Sequence, residues 1–133
     1  MAGYSGTPLP KKLGVREHTK LMLLNAPKDF EESLGELPEG VRVSRRAGGN
    51  PAERVIVFIR HAADVPHEIF RAEQNLAEGG GLWVAWPKQT SGVRTDMNKN
   101  HVLAGGQLAN LVDYKVCAID DIWSGHCFAR RSK

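Results

Sequence analysis

The chain has 133 residues, 41% of them hydrophobic and 25% charged, with a formal net charge of +3. That length suits one domain with a substantial core, and the balance excludes a fibrous repeat or a wholly disordered chain. The longest apolar runs, Val55 to Ile59 and Leu82 to Trp86, fall far short of the ~20 residues that span a bilayer.

Residues 1–12 are rich in Gly, Pro and small polar residues without a hydrophobic period. They predict a flexible N-terminal tail lying on the surface, with a single domain over residues 13–133. The start lacks the apolar segment of a secretory signal, and Gly3 stands one place too late for myristoylation. Cys117 and Cys127 form no CxxC pair. Together these features predict a cytoplasmic protein with free thiols and no membrane partner.

Leu21-Met22-Leu23-Leu24 followed by Asn25-Ala26-Pro27 predicts a buried strand. Asp29, with Glu32 three residues on, predicts a capped helix that Pro38-Glu39-Gly40 stops. Val41 to Arg45 alternates as an edge strand does, and Arg46 to Glu53, with Gly48-Gly49-Asn50-Pro51, predicts a loop. Val55 to Ile59 is apolar on both faces, as in a central parallel strand. A helix follows with Asp64 as its cap, Pro66 in its first turn, Val65, Ile69, Ala72 and Leu76 on one face, and Gly79-Gly80-Gly81 at its end. Leu82 to Trp86 predicts the next strand, closed by Pro87. Asn98 to Leu111 predicts a helix with a costly Gly105-Gly106 inside it. Tyr114 to Ile119 and His126 to Arg130, flanking Asp120 to Gly125, predict an antiparallel hairpin.

This alternation defines the doubly wound α/β class: a three-layer, Rossmann-like, mostly parallel sheet of about six strands with a C-terminal antiparallel hairpin. One link strains it. The loop after Arg45 is shorter than the dozen or more residues of an ordinary parallel crossover, so either it runs extended or the second strand is shorter or differently placed.

Ligands of open parallel sheets bind beyond the carboxyl ends of the strands. The chain places Asn25 and Lys28, Arg45, Arg60 and His61, and Lys88, Ser91 and Thr95 there, with Asp96 nearby, and these loops converge on one basic rim if the topology holds. Such a rim suits a phosphate or carboxylate, although arginines bounding buried strands also serve simply to solvate loop ends. Capping accounts for Asp29, Asp64 and Thr95. Trp83 and Trp86 alternate onto opposite faces as core residues. Ser91 and Lys88 could pair as nucleophile and base, on weak loop spacing. The five histidines show no metal spacing, so no metal site is expected. Asp120-Asp121 reads as a solvated turn, and Trp123-Ser124-Gly125 either gates a pocket or packs on the sheet edge. No GxGxxG or Walker motif follows any strand, and no bound cofactor is expected.

The order of elements from Leu21-Met22-Leu23-Leu24 through Gly80-Gly81-Leu82-Trp83-Val84-Ala85-Trp86 to the closing hairpin resembles a shortened, degenerate class I S-adenosylmethionine-dependent methyltransferase. That resemblance implies a Gly-rich cofactor loop after the first strand and an acid at the end of the second. The chain has Asn25-Ala26-Pro27-Lys28 and Arg45-Arg46 there; Pro27 removes a backbone donor, and arginine accepts no hydrogen bond from a ribose.

More closely, the chain is similar to a small bacterial family, common in actinobacteria, to which no activity is assigned. The similarity is carried by Gly3-Tyr4-Ser5-Gly6-Thr7-Pro8-Leu9, Trp83 to Lys88 with Ser91-Gly92-Val93, and Lys115 to Asp120 with Trp123-Ser124-Gly125. It implies no catalytic residue.

Three functions stand open. The first is a noncatalytic, methyltransferase-like module holding an anionic ligand: a nucleotide, a phosphate or an acidic partner. The second is a divergent transferase in which Lys88, Ser91 and Asp96 position a substrate. The third is an oligomerising scaffold using the hairpin edge or an exposed tryptophan. Nucleic acid ranks lower, because the net charge is small and no reading motif is present.

Overall fold

The computed structural model describes residues 7–131. Within them lie α1 (Leu9–Leu13), β1 (Lys20–Leu24), α2 (Phe30–Leu34), β2 (Arg42–Ser44), β3 (Ala52–Phe58), α3 (Val65–Glu73), β4 (Leu76–Pro87), α4 (Lys99–Leu108), β5 (Leu111–Ala118) and β6 (Trp123–Arg130). Short 3₁₀ turns at Ala62–Asp64 and Gln89–Ser91 join them. The six strands form one sheet in the order β2-β1-β3-β4-β6-β5. Parallel pairing joins β2, β1, β3 and β4, while β6 runs antiparallel to both β4 and β5.

Strand alternation divides the core into two layers. Met22, Leu24, Val55, Val57, Leu82 and Val84 face Val65, Ile69 and Ala72 of α3 and Val102 of α4. Leu21, Leu23, Ile56, Phe58, Trp83 and Ala85 face the other way, against Leu13, Phe30 and Leu34. β3 is buried on both faces because it has parallel neighbours on both sides and a layer above and below. Trp83 and Trp86 fall in opposite layers, and the Trp83 indole donates to the Leu13 carbonyl at 2.9 Å.

Several elements differ from the sequence expectation. Leu9–Leu13 is helical where composition predicts tail; Lys12 donates to the Ala118 carbonyl and Lys115 to the Lys12 carbonyl, which ties α1 to β5. Residues 1–6 of the expected tail lie outside the described residues. The Asp29–Glu32 capping box does not form, nor does Asp64 cap α3 through its side chain. Thr95 is not a cap either; Asn98 is, in a reciprocal box with His101.

Leu76 opens β4 instead of ending α3, and Gly79-Gly80-Gly81 lies inside that strand. There β4 bulges: Ala52 pairs with Leu76 but Arg54 pairs with Gly81. A side chain at Gly80 would stand 2.8 Å from the Glu53 carbonyl oxygen, so this close backbone approach admits only glycine. Trp123-Ser124-Gly125 starts β6 instead of occupying a turn.

The short crossover resolves through the length of β2. That strand has only three residues, and residues 45–51 return across the α3 side of β1 to the start of β3. Lys20 Nζ donates to the Asn50 carbonyl at 2.7 Å, and the Gly48 N–H donates to Asn75 Oδ1 at 2.7 Å.

Candidate functional site

After β1 the chain turns into α2, which packs on one face of the sheet; after β3 it turns into α3, which packs on the other. Between the carboxyl ends of these adjacent strands the connections diverge and open a crevice, where ligands of this architecture bind. The cleft there has a volume of about 370 Å³ and is lined by Asn25, Phe58, Ile59, Arg60, His61, Asp64 and Glu68.

Asn25 adopts a left-handed φ of 60°, a conformation asparagine tolerates better than most residues. Its amide donates to Glu68 Oε1 at 3.1 Å and its Oδ1 accepts from Arg71 at 3.2 Å. Glu68 also pairs with Arg71 at 3.2 Å, so one wall is a closed polar network joining β1 to α3. Arg60 and His61, which also line the cleft, are exposed, with the Arg60 guanidinium 5.0 Å from the Trp123 ring centroid. Asp64 is exposed, at the start of α3.

The segment between β4 and α4 is strapped onto this site. Thr95 Oγ1 donates to the Arg60 carbonyl at 2.6 Å, and Asp96 Oδ1 accepts the Ala62 N–H at 2.8 Å. That N–H, helped by His61 and His101, holds the Asp96 carboxyl below its ordinary range.

Asn25, Arg60 and His61 therefore share one cleft, and Thr95 buttresses it from behind. Lys28, in the β1–α2 loop, Arg45, which follows β2 and docks on that loop, and Lys88 and Ser91, after β4, do not line this cleft. The Arg45 guanidinium makes a two-pronged pair with Glu31, at 2.5 and 2.9 Å, and donates to the carbonyls of Ala26, Pro27 and Lys28. Lys88 is half-buried, with its N–H on the Ile122 carbonyl. Ser91 Oγ accepts the Val93 N–H at 3.1 Å, within a turn closed by the Ser91 N–H on the Lys88 carbonyl. Among the described residues no hydrogen bond joins the Lys88 amine to Ser91.

Asp64 and Glu68 escape a reading that treats each acid as a cap or a solvated charge. Their spacing of four residues puts them on one helix face, which is the signal that finds them.

The chain shares its fold with methyltransferases. Precorrin-6y C5,15-methyltransferase from Geobacter metallireducens superposes with a TM-score of 0.62 at 7% identity, over 92% of this chain and 86% of that one. Magnesium protoporphyrin IX methyltransferase from Synechocystis, solved with bound SAH, gives 0.55 at 8%, over 87% and 75%. An O-methyltransferase family 2 protein from Planctomyces limnophilus, solved with apigenin, gives 0.61 at 8%, over 86% of this chain; the chain spans 50% of that protein's length. No family model matches the chain, and no curated protein matches it. The architecture is thus a Rossmann-like, methyltransferase-type fold, mostly parallel with an antiparallel C-terminal hairpin. Among the described residues no helix is long and apolar enough to cross a membrane.

S-adenosylmethionine, the group this fold implies, does not fit the residues present in the mode the resemblance implies. Where an acid should accept the ribose hydroxyls stands Arg45, a pure donor, and its fork draws three carbonyls of the would-be cofactor loop onto itself.

Proposed function

We propose that the chain is a noncatalytic binding module of methyltransferase-like fold whose β1–β3 cleft takes an anionic ligand of the nucleotide class. The carrying observation is the mixed lining of that cleft, where the basic Arg60 and His61 meet the acids Asp64 and Glu68. A phosphate suits the basic pair through charge-assisted hydrogen bonds. Ribose hydroxyls or an exocyclic amine suit the acids, because carboxylates only accept.

A noncatalytic role is supported by Ser91, whose hydroxyl is engaged within its own turn, and by Arg45, which closes the loop a methyl donor would occupy. A cytoplasmic setting belongs to the same proposal, supported by the unpaired thiols of Cys117 and Cys127. Membership of the small actinobacterial family is likewise proposed, on the sequence motifs that resemble it.

The test is calorimetric titration of the purified chain with AMP, ADP, S-adenosylmethionine and S-adenosylhomocysteine. Binding of a nucleotide, weakened roughly 10- to 100-fold by Arg60→Ala through loss of a charged hydrogen bond, is expected. Binding of S-adenosylmethionine with methyl transfer to any acceptor, or no nucleotide binding at all, would overturn the reading.

A further inference from the structure

On the α3 side of the sheet, away from the cleft, the register of β1 and β2 sets Lys20 directly opposite Arg42. Like charges facing each other across strands destabilise a sheet. Neither forms an ion pair among the described residues. The nearby acid, Glu53, spends Oε1 on the Lys20 backbone N–H at 2.8 Å. The Lys20 ammonium is held by the carbonyls of Asn50, at 2.7 Å, and Gly48, at 3.5 Å, which leaves a third proton free. Arg42 is exposed and its guanidinium has no hydrogen bond among the described residues. These side chains line a hollow of about 240 Å³ together with Val43, Ser44 and Asn50. Ser44 is already engaged, exchanging hydrogen bonds with the backbone of Arg46.

The hollow exists because the crossover between β2 and β3 is a loop of residues 45–51 and no helix covers this corner of the sheet. A concave site whose lining holds two adjacent cations, unspent donors and no acid favours a compact anion of high charge. We propose that this hollow binds the phosphate of a small phosphomonoester, independently of the β1–β3 cleft. One phosphate bridging Lys20 and Arg42 offsets their mutual repulsion, and the volume leaves room for the esterified group beside it.

The experiment is titration of the ¹⁵N-labelled full chain with inorganic phosphate at constant ionic strength, followed by amide shifts. Saturable shifts at Lys20, Arg42, Ser44 and Asn50 are expected, with the half-saturation point raised at least about tenfold in Arg42→Ser and unchanged in Arg60→Ala. Arg42 is exposed and lacks side-chain bonds, so the variant spectrum should retain the dispersion of the folded chain; Lys20→Met provides a second variant. Shifts that stay linear, or that Arg42→Ser leaves untouched, overturn the site. Saturable shifts confined to Asn25, Arg60 and His61 also overturn it, while supporting the cleft.

Discussion

Tyr114 shows how one side chain reports its surroundings. Its ring is largely open, yet its hydroxyl turns inward to accept the Cys127 thiol at 3.2 Å, close under Gly81. Burial of that hydroxyl, reinforced by the thiol bond, pushes its pKa up to about 12. Folding thus favours the protonated phenol, and the associated stability is whole below pH 10 and lost as pH rises toward 12. Cys127, pushed up by its own burial, acts in the same direction from about pH 9. The urea midpoint should fall across this range, and Tyr114→Phe should flatten the upper part of the fall. A second test sits in α4. Alanine normally gains about 1 kcal/mol over glycine inside a helix, but a methyl at Gly106 would collide with the Phe128 ring. Gly106→Ala should therefore destabilise by about 1–3 kcal/mol, as overpacking does, in equilibrium denaturation.

At the scale of the elements, strands buried on both faces were legible in sequence, because continuous apolar runs such as Val55 to Ile59 have no other soluble home. α1 was not legible, since five residues beside Pro8 and Pro10 carry no helical period and are held by tertiary bonds. The glycines of β4 read as the end of a helix because glycine stops one, yet the approach of Glu53 makes glycine the residue this bulge needs. β2 was legible as an edge strand but not in its brevity. With three residues and one neighbour it should open first, and its amides should lose protection in hydrogen exchange well before those of β3. The β1–α2 loop depends on Arg45 in the same local way. Arg45→Ala frees three carbonyls into solvent and should cost about 1–2 kcal/mol of stability in denaturant. It should create no S-adenosylmethionine binding by calorimetry, because Pro27 still lacks its donor.

For the molecule as a whole, sequence placed Asn25, Arg60 and His61 at the ends of the right strands but could not show which charges were already spent. Arg45 looks free until Glu31, fourteen residues earlier, is folded against it. The same accounting decides whether the sheet edges recruit a second copy. The β5 edge is eight residues long and exposes Val112, Tyr114 and Val116, a surface that invites pairing. A bulge interrupts it: Asp113 pairs with Phe128 and Lys115 with Cys127, leaving Tyr114 as the extra residue. Phe128 and Cys127 face opposite layers, so the bulge reverses the alternation. Val112 and Tyr114 then lie on one face and Val116 on the other, which leaves no continuous apolar strip. Self-pairing along this edge meets a broken register as well as Asp113 and Lys115, and at β2 it sets Arg42 near its own copy. Both edges are thus defended by means that soluble sheets use, and sedimentation should give the monomer mass at every concentration. A dimer mass that persists on dilution and disappears in Val116→Lys would show instead that the hairpin edge is an interface.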